Sequence, residues 1–120
     1  MKKILVIEDE PEMRRNLATI LKLEKFSVTQ AENGRVGIDL AKKETPDLIL
    51  CDVMMPEKTG MDVYAELMRS APDQAERMVF MTGGAFTPRA REFLDRVPNL
   101  RVEKPFGAEQ LRALVNDRIR

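Results

Sequence analysis

Histidine is absent from this 120-residue chain, cysteine occurs once, and 20 basic side chains are matched by 20 acidic ones. Each scarcity excludes something. Without histidine the chain lacks the commonest general base, the usual zinc ligand and any means of serving as a phospho-histidine donor. A lone Cys51 cannot close an internal disulfide, which fits a reducing compartment. It stands within an apolar run, where cysteine behaves as a small core residue rather than a reactive thiol. A net charge of zero provides no long-range positive field to draw the chain to nucleic acid or an anionic bilayer. Long apolar runs are missing too. Met1-Lys2-Lys3 leads into only four apolar residues, far short of a signal-peptide core or a membrane span. The expectation is a cytoplasmic protein.

What is present suits one globular unit. Hydrophobic residues make up 43% and charged residues 33%, the balance of an ordinary folded domain. The length supports one substantial core and not two, so residues 1–120 are read as a single domain.

Two kinds of segment alternate along the chain. Ile4 to Ile7 and Leu48 to Cys51 are short, continuously apolar runs, as expected of strands buried on both faces. Phe26 to Gln30, Met78 to Met81 and the weaker Leu100 to Val102 supply three more strands. Between them the apolar period becomes helical. Met13, Leu17, Ile20, Leu21 and Leu23 follow Pro11, which suits a first helical turn. Asn33-Gly34 turns into a helix with Val36, Ile38, Leu40 and Ala41 inside. Gly60 opens a third helix carrying Met61, Val63, Tyr64, Leu67 and Met68, closed by Pro72. Thr87-Pro88 begins a fourth, with Ala90, Phe93 and Leu94 inward, and Glu109 to Ile119 is the closing helix around Leu111, Leu114 and Val115. Such alternation requires crossover connections and hence a parallel sheet covered on both sides. The expected fold is α/β: a doubly wound five-stranded parallel sheet, (βα)5 and flavodoxin-like, with strand order 2-1-3-4-5. In that order, ligands bind beyond the carboxyl ends of strands one and three.

Those ends are acidic. Glu8-Asp9-Glu10 follows strand one and Asp52 follows strand three. Carboxylates converging from two loops repel unless a cation lies between them, and all-oxygen ligation favours Mg2+ or Mn2+ over zinc. Taken alone, Asp9 reads equally as a helix N-cap before Pro11, and Asp52 as a loop residue satisfying backbone amides. Thr82, followed by Gly83-Gly84, stands after strand four, and Lys104-Pro105 after strand five. Singly these are a turn hydroxyl and a solvated lysine. Together with the carboxylates they supply a cation site, an ammonium and a hydroxyl, the parts from which phosphoryl transfer is catalysed by positioning and charge.

Glu8-Asp9, Asp52-Val53-Met54-Met55-Pro56, Thr82-Gly83 and Lys104-Pro105-Phe106 stand in an order and spacing that resemble the response-regulator receiver family, of the CheY-like superfamily. The resemblance covers essentially the whole chain. Met81 to Phe86 and Glu103 to Phe106 are most similar to receivers attached to hybrid sensor histidine kinases, whereas the amino-terminal half is more like free-standing regulators. The resemblance implies a phosphoacceptor of a two-component phosphorelay. Asp52 would take a phosphoryl group from the phospho-histidine of a histidine kinase or histidine phosphotransfer protein, switching a surface that binds a downstream protein. Asp9 and Asp52 would bind Mg2+ directly, Glu8 through water, and the carbonyl of Met54 would complete the protein ligands. Lys104 would pair with the phosphoryl group, Thr82 would move toward it, and the bond to Pro105 would be cis.

One position departs from the family pattern. Many receivers carry an aromatic residue three places before the lysine, where Arg101 stands here. The expected outlet for the signal is then the backbone of residues 82–86 and the helix beyond. A phosphorylation-independent binding module on the same fold is the main competing reading. A haloacid-dehalogenase-type phosphatase wants a second acid at the place of Met54. A nucleotide site wants a glycine-rich phosphate loop after strand one, which is absent.

Overall fold

The computed structural model describes residues 1–83 and 87–119. Its elements run β1 (Lys3–Ile7), α1 (Pro11–Leu23), β2 (Ser27–Ala31), α2 (Gly34–Glu44), β3 (Leu48–Asp52), α3 (Gly60–Ser70), α4 (Pro72–Glu76), β4 (Met78–Thr82), α5 (Pro88–Arg96), β5 (Arg101–Glu103) and α6 (Ala108–Ile119). The five strands form one parallel sheet in the order β2-β1-β3-β4-β5. This is the doubly wound, flavodoxin-like arrangement expected from the alternation.

Strand period separates two cores. Leu5, Ile7, Ile49, Cys51, Met78 and Phe80 enter one apolar cluster, together with Ile38, Val63, Leu67 and Phe93 from α2, α3 and α5. Ile4, Val6, Leu48, Leu50, Val79 and Met81 point the other way, toward Leu17 and Leu21 of α1 and Leu111 and Val115 of α6. Because successive strand residues face opposite sides, continuously apolar β1, β3 and β4 serve both layers at once. The edge strands β2 and β5 are more exposed. Phe80 stacks edge-on to Phe93 at 5.3 Å, and Tyr64 closes the same aromatic group.

Local chemistry sets several boundaries. The Asn33 side chain accepts from Val36 N at 2.9 Å and caps α2, and Thr87 does the same for α5 through Ala90 N at 3.1 Å. Thr59 and Asp62 form a reciprocal capping box at the start of α3. Pro72 closes α3 but also opens the five-residue α4, too short to leave a periodic signature in sequence. Leu23, expected inside, is 72% exposed because it lies about 200° round the helix from buried Leu21. Met68 is 44% exposed, rotated about 100° from Leu67. Leu100 lies outside the strand it was expected to begin, and β5 starts at Arg101.

Candidate functional site

The carboxyl ends of the four strands β1, β3, β4 and β5 bring the anticipated residues to one rim. Glu8 follows β1 directly, Asp52 is the last residue of β3, Thr82 the last of β4, and Lys104 follows β5. Register does the placing. Ile7 pairs with Cys51, Asp52 with Met81, and Thr82 with Glu103, so each functional residue ends its strand beside a neighbour's end. Backbone bonds lock the edges: Val53 N donates to Met81 O at 3.1 Å and Lys104 N to Thr82 O at 2.7 Å.

Lys104 joins the two loops electrostatically. Its Nζ donates to Glu8 Oε1 at 2.8 Å and to Asp52 Oδ2 at 3.1 Å. Glu8 and Asp52 are buried, at 1% and 7% exposure, so these charge-assisted bonds are shielded from bulk water. Glu8 Oε2 accepts from Glu10 N at 3.2 Å, and Asp52 Oδ1 from Met54 N at 3.3 Å. Burial works against the Lys104 ammonium, but its bonds to Glu8 and the charge of Asp52 outweigh this and hold its pKa above the ordinary 10.5.

Asp9 completes the cluster. One oxygen each from Glu8, Asp9 and Asp52 lies within 4.8 Å of the others. Burial, then a hydrogen bond and charge repulsion from Glu8, raise the Asp9 carboxyl above its usual 3.8. Its role as a helix cap is not realised. The N-cap of α1 is Glu10, with no side-chain cap bond, which leaves Asp9 turned to the acidic cluster.

Thr82 and Arg14 make further contacts at this rim. Thr82 is buried at the rim, but its hydroxyl donates to Val102 O at 3.4 Å, toward β5 rather than toward the carboxylates. Arg14, in the first turns of α1, sends NH1 to Glu8 O at 2.9 Å and ties the helix to the acidic turn. Its only signal in sequence is a position one turn into the helix after Glu8-Asp9. Arg101 forms an exposed ion pair with Asp95 of α5 at 3.4 Å. The Lys104-Pro105 bond is cis, as the resemblance implied. Of the expected outlet at residues 82–86, Gly84 to Phe86 lie outside the described residues.

The family model of the response regulator receiver domain matches residues 4–116. The chain belongs to that family. Among its relatives, the transcriptional regulatory protein YkoG of Bacillus subtilis is 34% identical over 98% of this receiver, which spans 50% of that protein. The hybrid signal transduction histidine kinase D of Dictyostelium discoideum is 35% identical over 93% of the receiver, which covers 7% of the kinase. The receiver thus spans half or less of the length of both relatives. A response regulator receiver domain protein from Clostridium thermocellum superposes with a TM-score of 0.86 at 26% identity, covering 99% of this chain and 94% of that one. The chemotaxis protein CheY4 of Vibrio cholerae shares the fold, with a TM-score of 0.84 at 23% identity over 99% of both chains. The receiver therefore takes part in two-component signalling of the response-regulator and hybrid-kinase kind. Among the described residues, no helix is long and apolar enough to cross a membrane.

Proposed function

We propose that residues 1–120 act as one phosphoacceptor unit in which Asp52 receives a phosphoryl group from a partner phospho-histidine. The observation carrying this reading is the Lys104 ammonium between Glu8 and Asp52, with Asp9 alongside. A carboxylate oxygen of Asp52 forms the new P–O bond as the donor's P–N bond breaks, and the departing imidazole takes its proton from solvent. The transition state spreads charge over the phosphoryl oxygens, so stabilisation comes from fixed cations rather than from a general base. Lys104 would pair with one such oxygen once its contact to Asp52 opens.

The donor set fits Mg2+ or Mn2+. All the oxygens are hard, and three carboxylates against one ammonium leave an excess of negative charge. One oxygen from each of Glu8, Asp9 and Asp52 lies within 4.8 Å of the others, close enough for one small hard cation to be shared among them. Asp9 and Asp52 would ligate directly, Glu8 through water, and the Met54 carbonyl would add a backbone oxygen. When bound, the ion supplies charge neutralisation for the phosphoryl oxygens. Thr82 would exchange its bond to Val102 O for one to the phosphoryl group, which releases a contact between β4 and β5 and alters a surface read by a downstream protein. The phosphodonor would be a histidine kinase or histidine phosphotransfer protein, met in the cytoplasm.

Incubation with a small phosphodonor and Mg2+ tests the reading. Intact mass rises by one phosphoryl group, and the gain vanishes with Asp52→Ala or with chelator. A parent protein that takes up nothing while folded would instead support the phosphorylation-independent binding module.

A further inference from the structure

Gly60 is the first residue of α3 and is buried against the phosphoacceptor's own backbone. A Cβ at this position would stand 2.7 Å from Asp52 O, 2.9 Å from Val53 Cα and 3.3 Å from the Asp52 carbonyl carbon. Real Cβ atoms do not approach other atoms so closely, so something would have to move. What would move is backbone, because no flexible side-chain end lies in the way. Backbone conformation does not call for glycine here, since no described glycine has a positive φ. The missing Cβ is what this residue contributes.

Its amide has a matching role. Gly60 N donates to Val53 O at 2.8 Å, closing residues 53–60 into a loop whose two ends touch beside Asp52. The far end is pinned by the capping box: Asp62 Oδ2 accepts from Thr59 N at 2.9 Å and from Thr59 Oγ1 at 3.1 Å. The loop between carries Met54, whose amide reaches Asp52 Oδ1. Close approach of α3 therefore sets the direction of the Asp52-Val53 peptide, and through it the side chain of Asp52 and the backbone of Met54.

We infer that Gly60 is a positioning residue of the phosphoryl-acceptor site, holding the Asp52 carboxylate and the Met54 backbone in register with Asp9 and Lys104. The inference rests on the proposed function of Asp52. Gly37 supplies the contrast. A Cβ there would also collide, but with Cδ1, Cγ1 and Cγ2 of Ile7, side-chain atoms of the core and not the backbone that carries Asp52. At Gly107 a Cβ would meet nothing within 4 Å.

The test compares Gly60→Ala, Gly37→Ala and Gly107→Ala at a temperature where each is fully folded by circular dichroism. Mg2+ affinity is read by calorimetry, phosphoryl uptake by intact mass, and the site's backbone by the amide shifts of residues 52–54. Gly60→Ala should lose about tenfold in Mg2+ affinity, a loss typical of disturbed support behind a metal site, and its uptake should slow in parallel. The two control variants should stay within about twofold of the parent, whatever they do to melting. A folded Gly60→Ala whose affinity and uptake match the parent overturns the inference. If Gly60→Ala does not fold, Asp62→Ala decides, because it unpins the same loop end without adding atoms: reduced Mg2+ affinity supports the inference, and unchanged affinity overturns it. A parent that neither binds Mg2+ nor takes up phosphoryl sinks the functional reading and this inference with it; an active parent with an equally active Gly60→Ala sinks the inference alone.

Discussion

Replacing Lys104 with methionine preserves most of the side-chain stem and deletes the charge that bridges Glu8 and Asp52. At an effective dielectric of about 20, contacts of 2.8 and 3.1 Å each carry a gross attraction of roughly 5–6 kcal/mol. Desolvation of the nearly inaccessible Glu8 offsets much of that. Removing one partner from a buried pair typically costs about 3–5 kcal/mol, because the remaining charge stays buried without compensation. The Lys104 side chain retains 16% exposure, which places the expected loss near the low end, about 3 kcal/mol. For a domain of this size that is a fall of roughly 10 °C in melting temperature. Mg2+ should then stabilise the variant more than the parent, since the ion meets three carboxylates with no competing ammonium. Thermal melts by circular dichroism, in chelator and in saturating Mg2+, measure both effects. A metal-free variant melting within about 2 °C of the parent would refute the claim that Lys104 compensates a buried acidic cluster.

Three other substitutions probe separate parts of the molecule. Asp9→Asn should weaken Mg2+ binding by at least about tenfold in a calorimetric titration. Because the folded Asp9 carboxyl titrates above 3.8, its contribution to stability is complete below that pH and is lost as pH rises through the folded value. Metal-free Asp9→Asn should therefore outlast the parent in urea at neutral pH, with the advantage closing in acid. Phe80→Ala empties the space between Tyr64 and Phe93 and should cost about 3–5 kcal/mol in urea unfolding, with the site residues untouched. Arg101→Ala breaks an ion pair exposed on both sides, so stability should change by no more than about 1 kcal/mol. Phosphoryl uptake by that variant should equal the parent's in the mass assay.

Much of this was legible from residue order alone. Apolar runs at Ile4–Ile7 and Leu48–Cys51 announce buried parallel strands, because only a strand covered on both faces can use a hydrophobic residue at every position. The alternation with helical periods then leaves few topologies, and residues ending strands one, three, four and five must meet at one rim. That is how Glu8, Asp9, Asp52, Thr82 and Lys104 could be named together. Signals that depend on angle or length were weaker: Leu23 and Met68 are apolar yet face outward, and α4 is too short to show a period.

Other features are set by distances between segments remote in sequence, and local pattern carries no trace of them. Whether Asp9 caps α1 or faces the acidic cluster depends on where β3 delivers Asp52, and the answer appears only when the two loops are side by side. The turn of the Thr82 hydroxyl to Val102, the reach of Arg14 to the Glu8 carbonyl, and the fit of Gly60 against the Asp52 backbone are likewise tertiary facts. Sequence determines which chemical groups reach the rim, because strand ends are written in the hydrophobic period. Packing determines which atoms touch there, because a shift of a few tenths of an ångström between α3 and β3 is invisible in residue order and decisive for a carboxylate.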